Sequence, residues 1–250
     1  MDLSKIAHIG EDFQEYTKYQ YFFSPSDMSR GIPVPQAEKP IPPDVPQVAL
    51  PKTEPLLSKF GKEIFFIIKQ RRSRRDYLEK PLSLEQLSLL LWATQGLQQA
   101  GYGYTLRTVP SAGARHPLET YLLINHLEQL QSGLYRYSPS RHAVIQLRND
   151  PAIVDHLTEA CLGQEMFRTC SVAFIWTAVI QRSRWKYQQR AYRYIYLDAG
   201  HVCQNLYLAC EALKLGCCAV AAFDDDAVNR LLEVDGKEEF AIYLATVGAV

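Results

Sequence analysis

Nine of the chain's 14 prolines fall between Pro25 and Pro55, and that clustering limits the fold more than any other feature of the sequence. Proline fixes φ near −65° and has no amide hydrogen to donate, so the stretch supplies neither a continuous helix nor a central strand. The spacing predicts an extended arm over residues 1–55, lying on the rest of the chain or on a partner subunit, and one domain over 56–250.

Beyond the arm the hydrophobic periodicity separates into elements. Leu56 to Gln70 carries apolar residues at helical spacing, and Ser83 with Gln86 forms a capping box that opens a helix from Leu84 to Leu97. Glu119 to Asn125, Gly133 to Tyr137 and His142 to Leu147 read as strands of an antiparallel meander. Asp150-Pro151 opens a helix toward Cys161 with Pro at its first position, and Ser171 to Ile180 is a buried strand. From about Tyr194 to Leu215 apolar residues occupy every face, which predicts a helix buried all round and stopped by Gly216. Cys217 to Phe223 and Phe240 to Val247 are the last strands, flanking a helix from Asp224 to about Leu232. Helices and strands interleave without strict alternation, so the class is α+β.

The charge balance excludes some functions. In 250 residues, 27 basic side chains face 27 acidic ones, and general binding to nucleic acid or to a membrane surface selects a basic excess that is missing here. Met1 to Phe13 has no apolar core of signal-peptide length, and the longest apolar run is about half a bilayer span, so a cytoplasmic protein is expected. The six cysteines show no C-x-x-C pairing and no histidine at zinc-finger spacing, which predicts buried thiols and no metal.

Against this neutral background, Arg71-Arg72-Ser73-Arg74-Arg75-Asp76-Tyr77 is a local concentration of guanidinium groups around one hydroxyl. Arginine forks hold phosphate oxygens bidentately and serine adds a short donor, so the run suits a phosphate. A solvated basic surface has the same composition. Arg107 to Pro117 is rich in small residues and proline, as a tight loop open to a flat ligand would be, and as a plain turn would be. Lys186 and Tyr187 stand in a dense mix of Arg, Lys and Tyr. A lysine crowded by Arg182, Arg184 and Arg190 is a candidate base, with tyrosine as proton donor, and the same segment reads equally as a charged surface. His201, Gln204 and Asn205 share one side of an apolar helix and read as a structural polar network, with Asp198 as the only acidic neighbour.

Several segments together resemble the SagB/ThcOx-type branch of the nitroreductase-like flavoproteins, which includes azoline oxidases. They are Arg-Arg-Ser-x-Arg-x-Tyr at 71–77, Leu-Leu-Trp-Ala-Thr-Gln-Gly-Leu at 90–97, Pro-Ser-Ala-Gly-x-x-x-Pro-Leu-Glu at 110–119, Lys186-Tyr187, and Gly200-His201-x-x-Gln204-Asn205. The resemblance implies a nitroreductase-like fold with a mixed or antiparallel central sheet surrounded by helices, and a homodimer holding one FMN per subunit at the interface. It implies that Arg71, Arg72, Ser73 and Arg75 hold the phosphate and ribityl chain, that Pro110, Ser111, Ala112 and Gly113 lie against the flavin ring, and that Val220, Ala221 and Ala222 approach its opposite edge. By the same resemblance Lys186 and Tyr187 are catalytic while hydride passes between substrate and flavin N5, extending to oxidation of a peptide thiazoline or oxazoline. A separate cyclodehydratase or scaffold protein would then deliver the peptide. The alternatives are an NAD(P)H-dependent reductase of nitroaromatics or quinones on the same fold, and a binding protein without redox activity.

Overall fold

The computed structural model describes residues 8–21, 24–60, 64–101 and 104–250. In chain order the elements are α1 (Ile9–Tyr16), β1 (Gln47–Ala49), α2 (Thr53–Phe60), α3 (Ile64–Gln70), α4 (Leu84–Gln95), β2 (Leu97–Gly101), β3 (Tyr104–Arg107), β4 (Leu118–Ile124), β5 (Gly133–Ser138) and β6 (Ala143–Arg148). They continue as α5 (Ile153–Ala160), α6 (Met166–Thr169), β7 (Val172–Val179), α7 (Gln181–Tyr187), α8 (Ala191–Ala212), β8 (Leu215–Val220), α9 (Asp225–Leu232) and β9 (Glu239–Ala249). Residues 61–63, inside the helical stretch expected from Leu56 to Gln70, lie outside the described residues.

Seven strands form one sheet in the order β1-β6-β5-β4-β7-β9-β8, and every ladder in it is antiparallel. The two-residue period of the strands divides the core into layers. Leu122, Phe174 and Trp176 face α4 and α8, packing with Leu90 and Leu206, while Leu123, Ala173 and Ile175 face the other way onto α5, α6 and α9, packing with Leu157, Phe167 and Val228. Each large apolar side chain buried this way contributes about 1.5–3 kcal/mol. The capping box opening α4 is present: Gln86 N donates to Ser83 Oγ at 3.2 Å, and Ser83 N donates to Gln86 Oε1 at 3.0 Å.

Several boundaries differ from the sequence reading. Helix α4 stops at Gln95, and Leu97–Gly101 pairs with Tyr104–Arg107 as a separate two-stranded antiparallel sheet, β2 with β3. Pro151 precedes α5 in a turn fixed by Ala152 N donating to Asp150 Oδ1 at 3.0 Å, so the helix begins two positions later than expected. Gly216 lies within β8, and α8 has already ended at Ala212. Nor is α8 buried all round, since Tyr196 and Leu197 are 54% and 56% exposed on a strip that includes His201 and Gln204.

The arm expected over residues 1–55 is not extended throughout, since Ile9–Tyr16 is helical and α2 crosses its end from Thr53, but the proline-rich segment between them lies over its own chain. Its Gln47–Ala49 becomes the edge strand beside β6, with Val48 opposite Val144. Three buried arginines donate to backbone carbonyls just before it: Arg182 Nε to Gln36 O at 2.9 Å, Arg107 Nη2 to Ala37 O at 3.2 Å and Arg136 Nη2 to Pro40 O at 2.9 Å. Their counter-charge is Glu119, 3% exposed, which pairs with Arg182 and also accepts from Lys39 N at 3.2 Å. Lys39 Nζ reaches on to Glu239 and to the Tyr121 hydroxyl, 2.6 Å away.

Candidate active site

Helix α7 starts directly after β7 and ends where Gln188 takes φ +50°, which turns the chain through a short 3-10 turn into α8. That break leaves Lys186 and Tyr187, both half-buried, on the last turn of α7. They meet the loop 110–113. A Cβ on Gly113, whose φ is +60°, would stand 2.4 Å from the Tyr187 hydroxyl and 2.9 Å from Lys186 Nζ. Only a glycine surface lets both groups come this close. The next residues are strained in the same sense, with Ala114 at φ +53° and His116 at φ +45°, a concentration typical of functional loops.

Lys186 Nζ sits 5.4 Å from the centroid of the Tyr187 ring. The arginines expected to crowd it have partners of their own: Arg182 pairs with Glu119, Arg184 Nη1 is 3.9 Å from Glu238, and Arg190 donates to the Tyr194 hydroxyl at 2.8 Å. Burial holds the Tyr187 phenol above its ordinary range, with Tyr194 adding to the effect, so the group stays protonated at neutral pH.

The acidic neighbour of His201 on α8 fixes this loop. Asp198, 4% exposed on α8, accepts from Ser111 Oγ at 2.6 Å and from Ala112 N at 3.2 Å. Ser111 Oγ accepts in turn from His116 N at 2.9 Å. Burial raises the Asp198 carboxyl above its usual range, and the two hydrogen bonds oppose that rise. An acidic residue inside an apolar helix was the available signal, but its partners lie some 87 positions away in sequence.

The arginine run lies extended beside β8, where Arg74 N donates to Cys217 O at 2.9 Å. Tyr207 of α8 organises it. The Arg71 guanidinium lies 5.1 Å over the Tyr207 ring, Ser73 Oγ is 2.9 Å from the Tyr207 hydroxyl, and Ala219 N donates to that same oxygen at 2.8 Å. Arg74 is neutralised by Glu211 at 2.7 Å, and Arg72 Nε donates to the nearby Gln70 O at 3.3 Å. Burial raises the Cys218 thiol above its ordinary range, and the nearby Arg75 guanidinium opposes that rise. Ala221 and Ala222 follow β8 on the surface, where Ala222 O accepts from Gln164 Nε2 at 2.9 Å. Gln164 and Arg75 share the wall of a cleft of about 450 Å³. Among the described residues neither Arg71 nor Arg75 has a carboxylate partner, so this donor set fits an incoming phosphate.

The two groups of candidates are not brought together within one chain. Asp198 carries the loop and Tyr207 carries the arginine run, and nine positions on a helix place them on opposite sides and about 14 Å apart along its axis. Asn205 is structural, donating through Nδ2 to Ala93 O at 2.9 Å, whereas His201 and Gln204, expected in the same network, are exposed. Among the described residues no three His, Cys, Asp or Glu side chains gather as a metal site, and no helix is long and apolar enough to cross a membrane.

A family model described as the nitroreductase family matches residues 68–249. MJ1384 of Methanocaldococcus jannaschii, which bears a nitroreductase name, is 34% identical over 183 residues, covering 73% of this chain and 88% of its own. The trifolitoxin-processing protein TfxB of Rhizobium leguminosarum bv. trifolii is 30% identical over 174 residues, covering 66% of this chain; the match spans only 47% of TfxB. Among solved structures, an Anabaena variabilis protein designated a nitroreductase has a TM-score of 0.66 at 28% identity, covering 83% of this chain and 42% of its own. The Escherichia coli microcin synthetase McbBCD complex with truncated pro-MccB17 bound shares the fold, with a TM-score of 0.60 at 20% identity over 100% of this chain and 98% of the matched chain. A Desulfovibrio desulfuricans protein in complex with FMN also shares it, at a TM-score of 0.51 and 19% identity over 75% of this chain and 86% of its own.

Proposed function

The chain belongs to the nitroreductase family, whose members are oxidoreductases, and from that premise we propose that it is an FMN-dependent enzyme of the SagB type that oxidises a peptide thiazoline or oxazoline to the azole. The observation that carries this reading is the closure of Lys186 and Tyr187 onto Gly113, which sets a candidate base and a protonated phenol against the loop expected to border the cofactor. The arginine set supports FMN: Arg71, Ser73 and Arg75 would hold its phosphate. FMN, when bound, supplies the two-electron acceptor. Azole formation removes two hydrogens from the ring, one leaving with its electron pair as hydride and one as a proton. Lys186 Nζ takes up that proton, and Tyr187 holds or passes it.

The enzyme is proposed to work as a homodimer, because the two candidate groups stand on opposite sides of α8 and a second copy can bring loop and arginine run to one cofactor. Exposed apolar surface supports the same assembly: Phe65 of α3 is 84% exposed, Phe66 and Ile68 of the same helix are each more than half exposed, and Leu197 of α8 is 56% exposed. A separate cyclodehydratase or scaffold protein is proposed to present the peptide, in keeping with the fold shared with the McbBCD complex. MJ1384 favours a second reading, reduction of nitroaromatics or quinones with a nicotinamide donor, which does not require Lys186.

Visible absorbance of the purified protein, with chromatography of the released chromophore, tests the cofactor, and one FMN per chain is expected. Lys186→Ala separates the two readings. Loss of azoline oxidation with flavin retained supports the oxidase, and unchanged turnover removes it.

A further inference from the structure

The Tyr187 hydroxyl lies against Gly113 yet makes no hydrogen bond among the described residues. Its direction therefore depends on what packs on its ring. Besides Lys186, the ring contact is Tyr194, which meets it edge to face with centroids 4.8 Å apart and planes at 75°. Tyr194 is itself held firmly. Arg190 Nε donates to its hydroxyl at 2.8 Å, the Tyr19 hydroxyl lies 3.1 Å away, and the Arg190 guanidinium covers the Tyr19 ring at 4.4 Å and the Tyr194 ring at 5.3 Å. The segment bearing Tyr19 is tied down by the same helix end: Arg190 Nη1 donates to Thr17 O, and Arg193 Nη2 donates to Gln14 O at 2.9 Å.

We propose that Tyr194 is a positioning residue for Tyr187, and that the N-terminal segment sets Tyr194 through Tyr19 and Arg190. The reasoning is geometric. Tyr194 and Asp198 are one turn apart on the same face of α8, and between them they hold both sides of the contact at Gly113: Tyr194 fixes the ring that approaches it, and Asp198 fixes the loop that bears it. The edge of one tyrosine ring meets the face of the other in the arrangement that aromatic quadrupoles favour. The proposal deepens the reading of Lys186 and Tyr187 as a proton-transfer pair and rests on it for its effect on turnover. Its structural half stands independently.

The test uses the full-length, flavin-loaded protein with 3-fluorotyrosine at position 187, read by fluorine NMR. Tyr194→Leu should move the fluorine signal toward that of free fluorotyrosine, whereas Tyr194→Phe, which keeps the ring and loses only the hydroxyl that Arg190 and Tyr19 hold, should move it by less. In turnover, Tyr194→Leu should lower kcat by roughly tenfold at unchanged KM and flavin content, with most of the rate restored in Tyr194→Phe. Tyr19→Ala removes the outer contact without touching α8 and should move the signal in the same direction by less, which keeps the proposal testable if Tyr194→Leu does not fold. An unmoved signal in Tyr194→Leu, or in Tyr19→Ala where the former does not fold, overturns the positioning role. A moved signal with unchanged turnover in both Tyr194→Leu and Lys186→Ala overturns the proton-transfer reading and leaves the positioning role standing.

Discussion

Ser111 donates its hydroxyl hydrogen to the buried carboxylate of Asp198 at 2.6 Å, and by that bond α8 holds the Pro110–Gly113 loop in place. Because Ala112 N also donates to Asp198, one side chain satisfies two donors that would otherwise be stranded. Asp198→Ala should cost about 1–3 kcal/mol in denaturant unfolding, since buried donors lose their acceptor. Asp198→Asn, which keeps an acceptor oxygen, should cost less. Equal losses in the two variants would mean that the carboxylate is not the anchor.

Gly113→Ala should damage activity more than stability. The added methyl would meet Tyr187 Oη and Lys186 Nζ well inside contact distance, and φ +60° adds strain of about 1 kcal/mol or more. Turnover should fall sharply while the flavin absorbance spectrum of the purified variant is unchanged. Retained turnover would show that the pair acts without touching this loop.

His116 should make the protein acid-sensitive. Burial, reinforced by Arg107, pushes its imidazole down to about 3, so the folded state keeps it neutral while the unfolded chain binds a proton below about pH 6.5. The unfolded state therefore holds more protons between those values, and stability falls as pH drops through that window. At pH 5 the loss is about 2 kcal/mol relative to neutral pH. His116→Asn, which tolerates the φ of +45°, should flatten the dependence of the denaturation midpoint on pH between 7 and 5.

Glu119→Ala should be among the most damaging single changes. It leaves Arg182 and Arg136 buried without their counter-charge, and losses of about 3–5 kcal/mol are typical of such cases. Thermal melting of the purified variant checks this, and a shift within error of the wild type would contradict it.

The elements most legible in the sequence were those whose cause is local. The Ser83–Gln86 capping box, the meander from β4 to β6 and the strand β7, apolar but for Thr177, each follow from residues within a few positions of one another. The β2–β3 pair was not visible, because it stands apart from the main sheet and largely exposed, so neither strand carries a buried alternating face. Helix α8 looked buried all round because it carries apolar residues even on its exposed strip. In the site, the arginine run and the Pro-Ser-Ala-Gly loop could be found as motifs, but Asp198, Tyr194 and Tyr207 could not. Their importance lies in partners from distant parts of the chain, Ser111, Tyr19 and Ser73, and no local pattern encodes such a pairing.

The arm also has a history in time. Gln36 to Pro40 leave the ribosome early, yet the groups that clasp their backbone, Arg107, Glu119, Arg136 and Arg182, emerge much later. The full clasp therefore waits until Arg182 has been made, when more than half of the chain has followed this stretch. Proline suits that wait: a segment that cannot settle into helix or sheet on its own is still free when its partners arrive.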